Sequence, residues 1–180
     1  MSKVILYIAA SLDGFIARPD GNLDWLTGLP NPDQLDHGYG DLLAQTSCII
    51  MGHSTYQEIL GFGMEWPYIG TETWVMTGNP DLKPATPDTF ALSGDIETKF
   101  EAIRLRQLKN IWLVGGGRVV TWFLNHDFID EMIIAMIPCI LGKGIRLFPD
   151  GPAESQWKLI KSESFSTGVV NLSYRRDMNP

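Results

Sequence analysis

The stretch that decides the fold is Ile111-Trp112-Leu113-Val114-Gly115-Gly116-Gly117-Arg118-Val119, where an apolar run leads into three consecutive glycines. The run predicts a buried strand, and we expect a helix from the glycines to Leu124. Glycines at such a turn let the backbone approach a phosphate, and the free N–H groups at the start of the helix attract its charge. A tight turn between strand and helix is the alternative interpretation. The stretch is not a P-loop, because no Gly-Lys-Ser/Thr follows, and Val120 interrupts a G-x-G-x-x-G fingerprint.

Residues 48–57 repeat this arrangement. Cys48-Ile49-Ile50-Met51 predicts a short strand that ends at Gly52, and Ser54-Thr55-Tyr56-Gln57 has the capping-box pattern, which predicts the start of a helix. The hydroxyl groups here either cap that helix or donate to a phosphate. Two such turns in one parallel sheet favour a dinucleotide, because that ligand has a pyrophosphate and often a 2′-phosphate to place.

The remaining apolar segments complete an α/β pattern. They predict strands at residues 3–10, 73–77, 89–92 and 131–137, and a hairpin of residues 157–165 and 169–174. We expect one helix after an Asn31 cap, with Pro32 as its first residue, and another after an Asp95 cap. Strands separated by helices imply parallel crossovers. We therefore predict a single domain over residues 1–180, an α/β three-layer sandwich with a mostly parallel, mixed eight-stranded sheet and a C-terminal antiparallel hairpin. Ligands of such sheets bind beyond the carboxyl ends of the strands.

Composition narrows the classes of function. The chain has 180 residues, 44% of them hydrophobic, and a formal net charge of −7, which suits one globular domain and argues against nucleic-acid binding. No apolar run approaches the roughly 20 residues that cross a bilayer, and the N-terminus has no convincing signal peptide, so we expect a cytoplasmic protein with no membrane partner. Cys48 and Cys139 are expected to be buried thiols. The three histidines lack metal-ligand spacing, so no metal site is expected.

Two acids and two tryptophans are candidates for contact with a substrate. Asp13 directly follows the first strand, where it either forms an Asp-Gly turn or lines a pocket. Asp36 falls at the border of the apolar face of the helix expected after Asn31. A half-buried carboxyl group there would have a raised pKa and could donate a proton or anchor a substrate, whereas a solvated helix acid is the alternative. Trp25 and Trp66 lie in predicted loops, where they either cover the core or stack on a substrate.

Three segments together resemble a known family. Residues 9–17, 50–56 and 113–119 occur in the order and spacing of dihydrofolate reductase-like proteins. Ser11-Leu12-Asp13-Gly14-Phe15-Ile16-Ala17 and residues 137–144 are more similar to the riboflavin-biosynthesis reductase branch, which includes the C-terminal domain of the bifunctional deaminase-reductase. The resemblance covers residues 3–176. It implies a dihydrofolate reductase-like fold, a hydride transfer from NADPH to a small heterocyclic substrate such as 5-amino-6-(5-phosphoribosylamino)uracil, and, by analogy, a homodimer.

The resemblance also assigns roles to individual residues. The pyrophosphate would be held by Val114, Gly115, Gly116, Gly117, Arg118 and Val119, with a cis peptide between Gly115 and Gly116. The phosphates would be met from the other side by Gly52, His53, Ser54 and Thr55, and the adenosine would be flanked by Met76, Thr77 and Gly78. The nicotinamide would be bordered by Ala9, Ala10 and Ile16, and the substrate would face Asp13, Trp25 and Trp66. Asp13 would hydrogen-bond the substrate, and Asp36 or a water molecule would deliver the proton.

Two departures from the family pattern leave alternatives open. His53 stands where the family usually has Arg or Lys, which helps to bind the phosphates of the cofactor. Such a charge-assisted hydrogen bond contributes about 1.5–3 kcal/mol, and a neutral His does not supply it fully. NADH is therefore an alternative to NADPH. An ungapped count back from Gly52 sets Asp36 opposite the substrate-binding acid of true dihydrofolate reductases, which would favour dihydrofolate as the substrate. A non-catalytic nucleotide-binding module is the alternative from another class of protein.

Overall fold

The structure is a computed structural model that describes residues 2–149 and 151–177. Its strands are Val4–Ser11 (β1), Phe15–Ala17 (β2), Thr46–Gly52 (β3), Glu72–Met76 (β4), Thr89–Leu92 (β5), Asn110–Gly115 (β6), Glu131–Ile137 (β7), Ile145–Arg146 (β8), Trp157–Ser164 (β9) and Val170–Arg176 (β10). Its helices are Asp24–Thr27 (α1), Tyr39–Ala44 (α2), His53–Gly61 (α3), Ile96–Arg106 (α4) and Gly117–Asn125 (α5).

Eight of these strands form one mixed sheet in the order β5-β4-β3-β6-β1-β7-β10-β9. In this order across the sheet, the first six strands, β5 through β7, are all parallel to their neighbours. β10 is antiparallel to both β7 and β9. All eight strands were expected from the apolar segments, and β9 and β10 form the expected hairpin. The predicted sheet, with its antiparallel C-terminal edge, is confirmed.

Helices cover both faces of this sheet. Successive side chains of a strand point to opposite faces, so Leu6 of β1 packs with α4 and α5 around Phe100 and Phe123. Ile5 points the other way and packs with α2 and α3 around Tyr56. The predicted three layers are therefore present, and both clusters consist of side chains that are at least nine-tenths buried.

A second, two-stranded sheet was not expected. β2 pairs antiparallel with β8, which joins the segment after β1 to a segment near residue 145. The backbones of these two segments approach so closely that a Cβ at Gly144 would lie 2.2 Å from the carbonyl oxygen of Ala17. Strands of three and two residues are too short to show an alternating pattern in the sequence.

The prediction of a helix that begins directly after Asn31 is wrong. The side chain of Asn31 accepts a hydrogen bond from Leu35 N and donates one to Leu35 O, which closes a turn. Gln34 and His37 then adopt φ values of 52° and 54°, in the left-handed region that a right-handed helix excludes. The helix begins only at Tyr39.

The other predicted helices are present with different details at their starts. Asp95 caps α4 as expected, because its carboxylate accepts a hydrogen bond of 3.2 Å from Thr98 N. The predicted capping box at Ser54 is wrong, because α3 begins at His53 with Gly52 as its N-cap and no side chain caps it.

Three smaller expectations concern thiols, a peptide bond and membranes. Cys48 is buried, whereas Cys139 is only half-buried, and neither forms a disulfide. No cis peptide occurs in the described part of the chain, so the Gly115–Gly116 bond is trans and the expected cis bond is wrong. Within residues 2–149 and 151–177, no helix has the length and apolar character that crossing a membrane requires.

Candidate active site

A groove of about 1510 Å³ crosses the carboxyl ends of the parallel strands. It is lined at those ends by Ala9 of β1, Gly52 of β3, Met76 of β4, Val114 of β6 and Ile137 of β7. Pockets for one small molecule measure about 300–1,000 Å³, so this groove can hold two ligands side by side.

The two glycine turns meet in this groove. The backbone amide of Gly116 donates a hydrogen bond of 3.1 Å to the hydroxyl of Thr55. A Cβ at Gly52 would lie 3.0 Å from Cγ2 of Val119, so the start of α3 also touches the start of α5. The turns that were singled out in the sequence therefore open onto one groove.

Both helices that start here lack a side-chain cap. Gly52 is the N-cap of α3 and Gly116 is the N-cap of α5, and neither offers a side-chain acceptor. The first N–H groups of a helix have no partner within the helix and carry the positive end of its dipole. These two helix starts consequently present unpaired donors and positive potential to an anion in the groove.

Glycine is required at two positions of the second turn. Gly115 has φ +121°, and a Cβ there would lie 2.9 Å from Cδ1 of Ile8. A Cβ at Gly117 would lie 2.4 Å from the carbonyl oxygen of Arg146 and 2.8 Å from Cδ of Pro149. The triplet therefore permits the close packing of β6, α5 and the 146–149 segment that shapes this end of the groove.

We call this end the amide half. It comprises the starts of α3 and α5, the end of β4 and their neighbours. Most of the residues expected to bind a cofactor line this half or its border. They are Ala9, Ile16, Gly52, His53, Ser54, Thr55, Met76, Thr77, Gly78, Val114, Gly116, Gly117, Arg118 and Val119. Arg146 also lines it, with its guanidinium 5.2 Å from the centre of the Phe15 ring.

Two residues of the expected cofactor set lie elsewhere. Ala10 is 1% exposed, points to the opposite face of the sheet from Ala9 and does not line the groove, and its expected contact with a nicotinamide stays a prediction. Gly115 is buried behind the turn against Ile8 and does not line the groove.

The other end of the groove, which we call the aromatic half, lies on the face of the sheet covered by α1 and α2. From the groove lining we assign to this half Leu23, Leu26, Thr27, Leu29, Asn31, His37, Tyr7, Tyr39, Trp112, Ala135, Ile137 and Val169, with Ala9 at the border of the two halves. The phenol rings of Tyr7 and Tyr39 and the indole of Trp112 can contact a planar ligand.

Hydrogen bonds fix the polar groups of the aromatic half. The Tyr7 hydroxyl donates to the carbonyl oxygen of His37 over 3.1 Å, and Trp112 Nε1 donates to the carbonyl oxygen of Tyr7 over 3.2 Å. His37 Nε2 lies 2.9 Å from the hydroxyl of Thr167. Burial raises the pKa of the Tyr7 phenol, and the negative charge of Asp36 adds to the rise. Tyr7 therefore stays protonated at neutral pH.

Sequence reasoning missed this aromatic half. Tyr7 and Trp112 lie inside apolar runs that predict buried strands. The one available signal is polarity, because Tyr7 introduces a hydroxyl into an otherwise aliphatic strand at a position that shares a face with Ala9.

The expected half-buried position of Asp36 on a helix face is wrong, and its expected role as a proton donor stays a prediction. Asp36 lies in the turn before α2, is exposed, and is not part of the groove lining. Its carboxylate accepts hydrogen bonds of 2.9 Å from Gly38 N and from Gly40 N, and these bonds lower the pKa of the carboxyl group. The carboxylate is thus ionised and shapes the turn.

Asp13 is also engaged outside the groove. Its carboxylate accepts hydrogen bonds from the Ser11 hydroxyl over 2.7 Å and from the backbone amides of Leu141 and Gly142. The bond from Ser11 is the main cause of a lowered pKa for this carboxyl group, with the two amides adding to it. Asp13 joins two loops and lines no part of the groove, contrary to the expected contact with a substrate.

The two candidate tryptophans cover the core. Trp66 is 7% exposed and meets the rings of Tyr56 and Tyr68 edge to face. Trp25 packs on the cluster of Ala135, Ile137 and Val169 without lining the groove. Neither of them lines the groove, and their expected contacts with a substrate stay predictions.

The sheet order and the groove across its strand ends define the dihydrofolate reductase-like fold. Dihydrofolate reductase from Enterococcus faecalis, solved in complex with NADP(H), has a TM-score of 0.71 at 17% identity over 97% of this chain and 96% of that one.

Residues 69–171 match the model of the RibD C-terminal domain. Over 176 residues the chain is 38% identical to the protein YwjB of Bacillus subtilis (strain 168), which covers 97% of this chain and 98% of YwjB. A crystal structure from Shewanella sp. PV-4, of a protein named for riboflavin biosynthesis, has a TM-score of 0.85 at 32% identity over 97% of this chain and 99% of that one. The chain belongs to the RibD C-terminal domain family.

Proposed function

We propose that this protein is an NADPH-dependent reductase that transfers a hydride to a C=N or C=O bond of a small heterocyclic substrate. The observation that carries the proposal is the meeting of two uncapped helix starts, joined by the bond between Gly116 N and Thr55 Oγ1, in a groove large enough for two ligands. Membership of the RibD C-terminal domain family and the NADP(H) complex of a protein with the same fold support it.

The amide half fits the diphosphate of a dinucleotide. The first-turn amides of α3 and α5 would bind the phosphate oxygens, and the nearby guanidinium groups of Arg118 and Arg146 would supply positive charge. Gly78, at the end of β4, has no atom within 4 Å of its missing Cβ, which leaves room for the adenosine. His53 takes the place of the usual cation, so we propose that NADH also binds, with a smaller difference in affinity from NADPH than in relatives with Arg or Lys there.

The residues between the two halves would exclude water around the nicotinamide. Ile8, Ala9 and Ile16 line this region with apolar side chains. Bound NADPH supplies a hydride, so the acceptor double bond gains one hydride and one proton while the cofactor leaves as NADP⁺. A small side chain at Ala9 leaves space for two rings to meet, which is the positioning that such a transfer requires.

The aromatic half would orient the acceptor and leave the proton to water. Tyr7, Tyr39 and Trp112 offer ring surfaces, and the phenol of Tyr7 is held by its bond to His37 O. Asp36 is not among the lining residues, and the carboxyl group among the described lining residues, that of Glu58, projects towards Gly21. We therefore propose a water molecule as the proton donor, which keeps one of the two sources expected from the sequence.

Family membership favours a pyrimidine substrate of the riboflavin type over dihydrofolate. The argument for dihydrofolate depended on Asp36, and this residue lies outside the groove. A non-catalytic nucleotide-binding module remains the second candidate, because His53 replaces a cation at the phosphates. Consumption of NADPH with any acceptor excludes the module, whereas tight cofactor binding without turnover across pterins, pyrimidines and quinones favours it.

Tryptophan fluorescence tests cofactor binding directly. Trp112 and Trp122 both line the groove, so NADPH is expected to quench their emission and to receive energy from them. Absorbance at the nicotinamide band then follows turnover with added acceptors. No change of fluorescence at millimolar NADPH would contradict the proposal.

We also propose a homodimer, by analogy with relatives. The edge strand β9 exposes Leu159 by 49% and Ile160 by 43%, and an unpaired strand edge with apolar side chains is a surface that proteins usually cover. Light scattering after size exclusion is expected to give twice the 20.1 kDa of the chain. A monomer at all concentrations would contradict this proposal.

A further inference from the structure

His37 lies where three parts of the fold meet the groove. It is half-buried, lines the groove and has a φ of 54°, in the left-handed region that residues with a Cβ adopt rarely and only where other contacts hold them. Its carbonyl oxygen accepts hydrogen bonds from the Tyr7 hydroxyl over 3.1 Å and from Nδ2 of Asn171 over 2.6 Å. Its ring Nε2 lies 2.9 Å from the hydroxyl of Thr167, and the ring meets that of Phe165 edge to face. Strands β1 and β10 and the turn between β9 and β10 therefore hold this imidazole in place.

The bond from Asn171 is the one polar contact of a buried side chain. Asn171 is 6% exposed, and its Oδ1 has no partner among the described residues. The carboxamide cannot be turned over, because Oδ1 would then face the carbonyl oxygen of His37, which is also an acceptor. Asn171 pairs with Ala135, which pairs with Ala9, so the three side chains share the face of the sheet that the groove crosses. A buried amide with an unpaired oxygen is unfavourable for stability, which favours a role in holding His37.

His37 lies at the part of the groove that a bound diphosphate leaves free. The two uncapped helix starts follow β3 and β6, whereas Asn171 lies on β10, three strands beyond β6. Neighbouring strands are about 4.8 Å apart, so β10 is roughly 14 Å from β6. With the nicotinamide beside Ala9 on β1, the ends of β7 and β10 remain for the second ligand. The group that reaches His37 is therefore the hydride acceptor.

One ring nitrogen of His37 is free to bind this acceptor. Within residues 2–149 and 151–177, Nδ1 has no hydrogen-bond partner and is not one of the buried unpartnered atoms, so it is accessible to a ligand. The hydroxyl oxygen of Thr167 accepts a bond of 3.4 Å from Val169 N, which leaves the hydroxyl proton to point at Nε2. A neutral imidazole that accepts a bond at Nε2 carries its proton on Nδ1. Nδ1–H is then a donor whose complement is a ring carbonyl oxygen.

We propose, resting on the proposed function, that His37 binds the heterocyclic substrate through Nδ1–H, with Thr167 and Asn171 as positioning residues. Thr167 acts through the imidazole and Asn171 through the carbonyl oxygen of His37. A ring carbonyl of the substrate accepts the bond, while the proton of the reaction still comes from water. His37 therefore contributes to the affinity for the substrate and leaves the chemical step unchanged.

The probe for this proposal is 5-amino-6-(5-phosphoribosylamino)uracil, which carries two ring carbonyl groups. Energy transfer from tryptophan to NADPH is measured first, and its absence would overturn the proposed function. Protein that binds NADPH but neither binds nor reduces the probe would overturn the inference alone.

Two substitutions of His37 separate its two ring nitrogens. His37→Asn places a carboxamide near the position of Nδ1, whereas His37→Gln places one near the position of Nε2. With saturating NADPH, we expect KM for the probe to rise by about tenfold in His37→Gln and by a smaller factor in His37→Asn. The value of kcat and the dissociation constant for NADPH should stay unchanged in both. An unchanged KM in His37→Gln, or a loss confined to kcat, would overturn the inference.

The positioning residues are tested through the same KM. Thr167 lies in a turn, so Thr167→Val removes the hydroxyl with little risk to folding, and Thr167→Ser, which keeps it, is the matched control. We expect KM for the probe to rise by about threefold in Thr167→Val and to stay unchanged in Thr167→Ser. Asn171→Ala removes the donor to His37 O and should raise KM likewise. Equal KM values in Thr167→Val and Thr167→Ser would overturn the positioning role, whether or not Asn171→Ala folds.

Nitrogen NMR of the imidazoles gives a readout that a merely structural role would not move. The chain has three histidines, so the resonances of His37 are assigned by their loss in His37→Gln. With NADP⁺ bound and the imidazole neutral, we expect the proton of His37 on Nδ1, and we expect the probe to shift this resonance. In Thr167→Val the preference for Nδ1 should weaken. A proton on Nε2 in the wild type, or no change at His37 when the probe binds, would overturn the inference.

Discussion

The backbone amide of Gly116 donates a 3.1 Å hydrogen bond to the hydroxyl of Thr55, and this bond joins the start of α5 to the start of α3. The two residues are far apart in the chain but lie at the ends of the adjacent parallel strands β6 and β3. Adjacent parallel strands bring their following helices to the same edge of a sheet, so one bond fixes the distance between two anion-binding helix ends. The shape of the amide half depends on this contact.

Replacement of Thr55 by Val tests that contact. The change keeps the size of the side chain and leaves Gly116 N–H without its partner, so we expect the free energy of unfolding to fall by about 1–3 kcal/mol. NADPH binding should weaken by about tenfold, because the two helix starts are no longer held together. Urea unfolding and fluorescence titration measure the two effects. Thr55→Ser, which keeps the hydroxyl, is the control, and equal behaviour of both variants would contradict the argument.

Replacement of Gly117 by Ala tests the close packing of the second turn. The added Cβ would lie 2.4 Å from Arg146 O, a contact that requires the backbone to shift. We expect a loss of about 1–3 kcal/mol in stability, as for overpacked sites, together with weaker NADPH binding. Gly61, at the end of α3, has no atom within 4 Å of its missing Cβ, so Gly61→Ala is the matched control and should be neutral or slightly stabilising. Unchanged unfolding and binding in Gly117→Ala would refute this account of the turn.

Replacement of Asp36 by Asn separates a structural role from a catalytic one. Because Asp36 lies outside the groove, the pH dependence of kcat should stay unchanged. The folded-state pKa of this carboxyl group is lowered by the amides of Gly38 and Gly40, so its stabilising effect is present above the ordinary pKa of about 3.9 and is lost as the pH falls through the lowered value. Urea unfolding should therefore show a difference between wild type and Asp36→Asn at pH 7 that shrinks as the pH falls below about 4. A shifted pH profile of kcat would restore the catalytic interpretation.

Replacement of His53 by Arg tests the departure from the family pattern. A guanidinium at the start of α3 adds a charged partner for a phosphate, so the affinity for NADPH should rise by about tenfold. The affinity for NADPH should rise more than the affinity for NADH if the added guanidinium contacts the 2′-phosphate, which NADH lacks. Dissociation constants for both cofactors, with His53→Gln as an uncharged control, measure the preference. Equal affinities in all three proteins would mean that residue 53 does not contact the phosphates.

The sheet could be predicted from sequence because each of its strands is an apolar run between turn residues. β2 and β8 could not, because their pairing depends on contact between segments near residues 15 and 145 rather than on local pattern. The helix expected after Asn31 does not form there, for a local reason. Leu35, Tyr39 and Leu42 have the apolar spacing of a helix, but this spacing does not reveal the turn that precedes Tyr39. Side-chain bonds of Asn31 and left-handed backbone at Gln34 and His37 favour a turn.

The candidate site divides in the same way. The amide half was predictable because glycines and helix starts are local features that face the strand ends. The aromatic half was not, because Tyr7 and Trp112 come from different strands and read as core residues until the sheet places them together. Asp13 and Asp36 have the residue type for catalysis, but their carboxylates bind backbone amides of nearby loops.

A crystal structure of the protein with NADP⁺ tests the central claim most directly. We expect the oxygens of the diphosphate to lie within hydrogen-bond distance of first-turn amides of both α3 and α5, with the nicotinamide ring beside Ala9. A diphosphate bound elsewhere on the molecule, or contacts with only one of the two helix starts, would contradict the account.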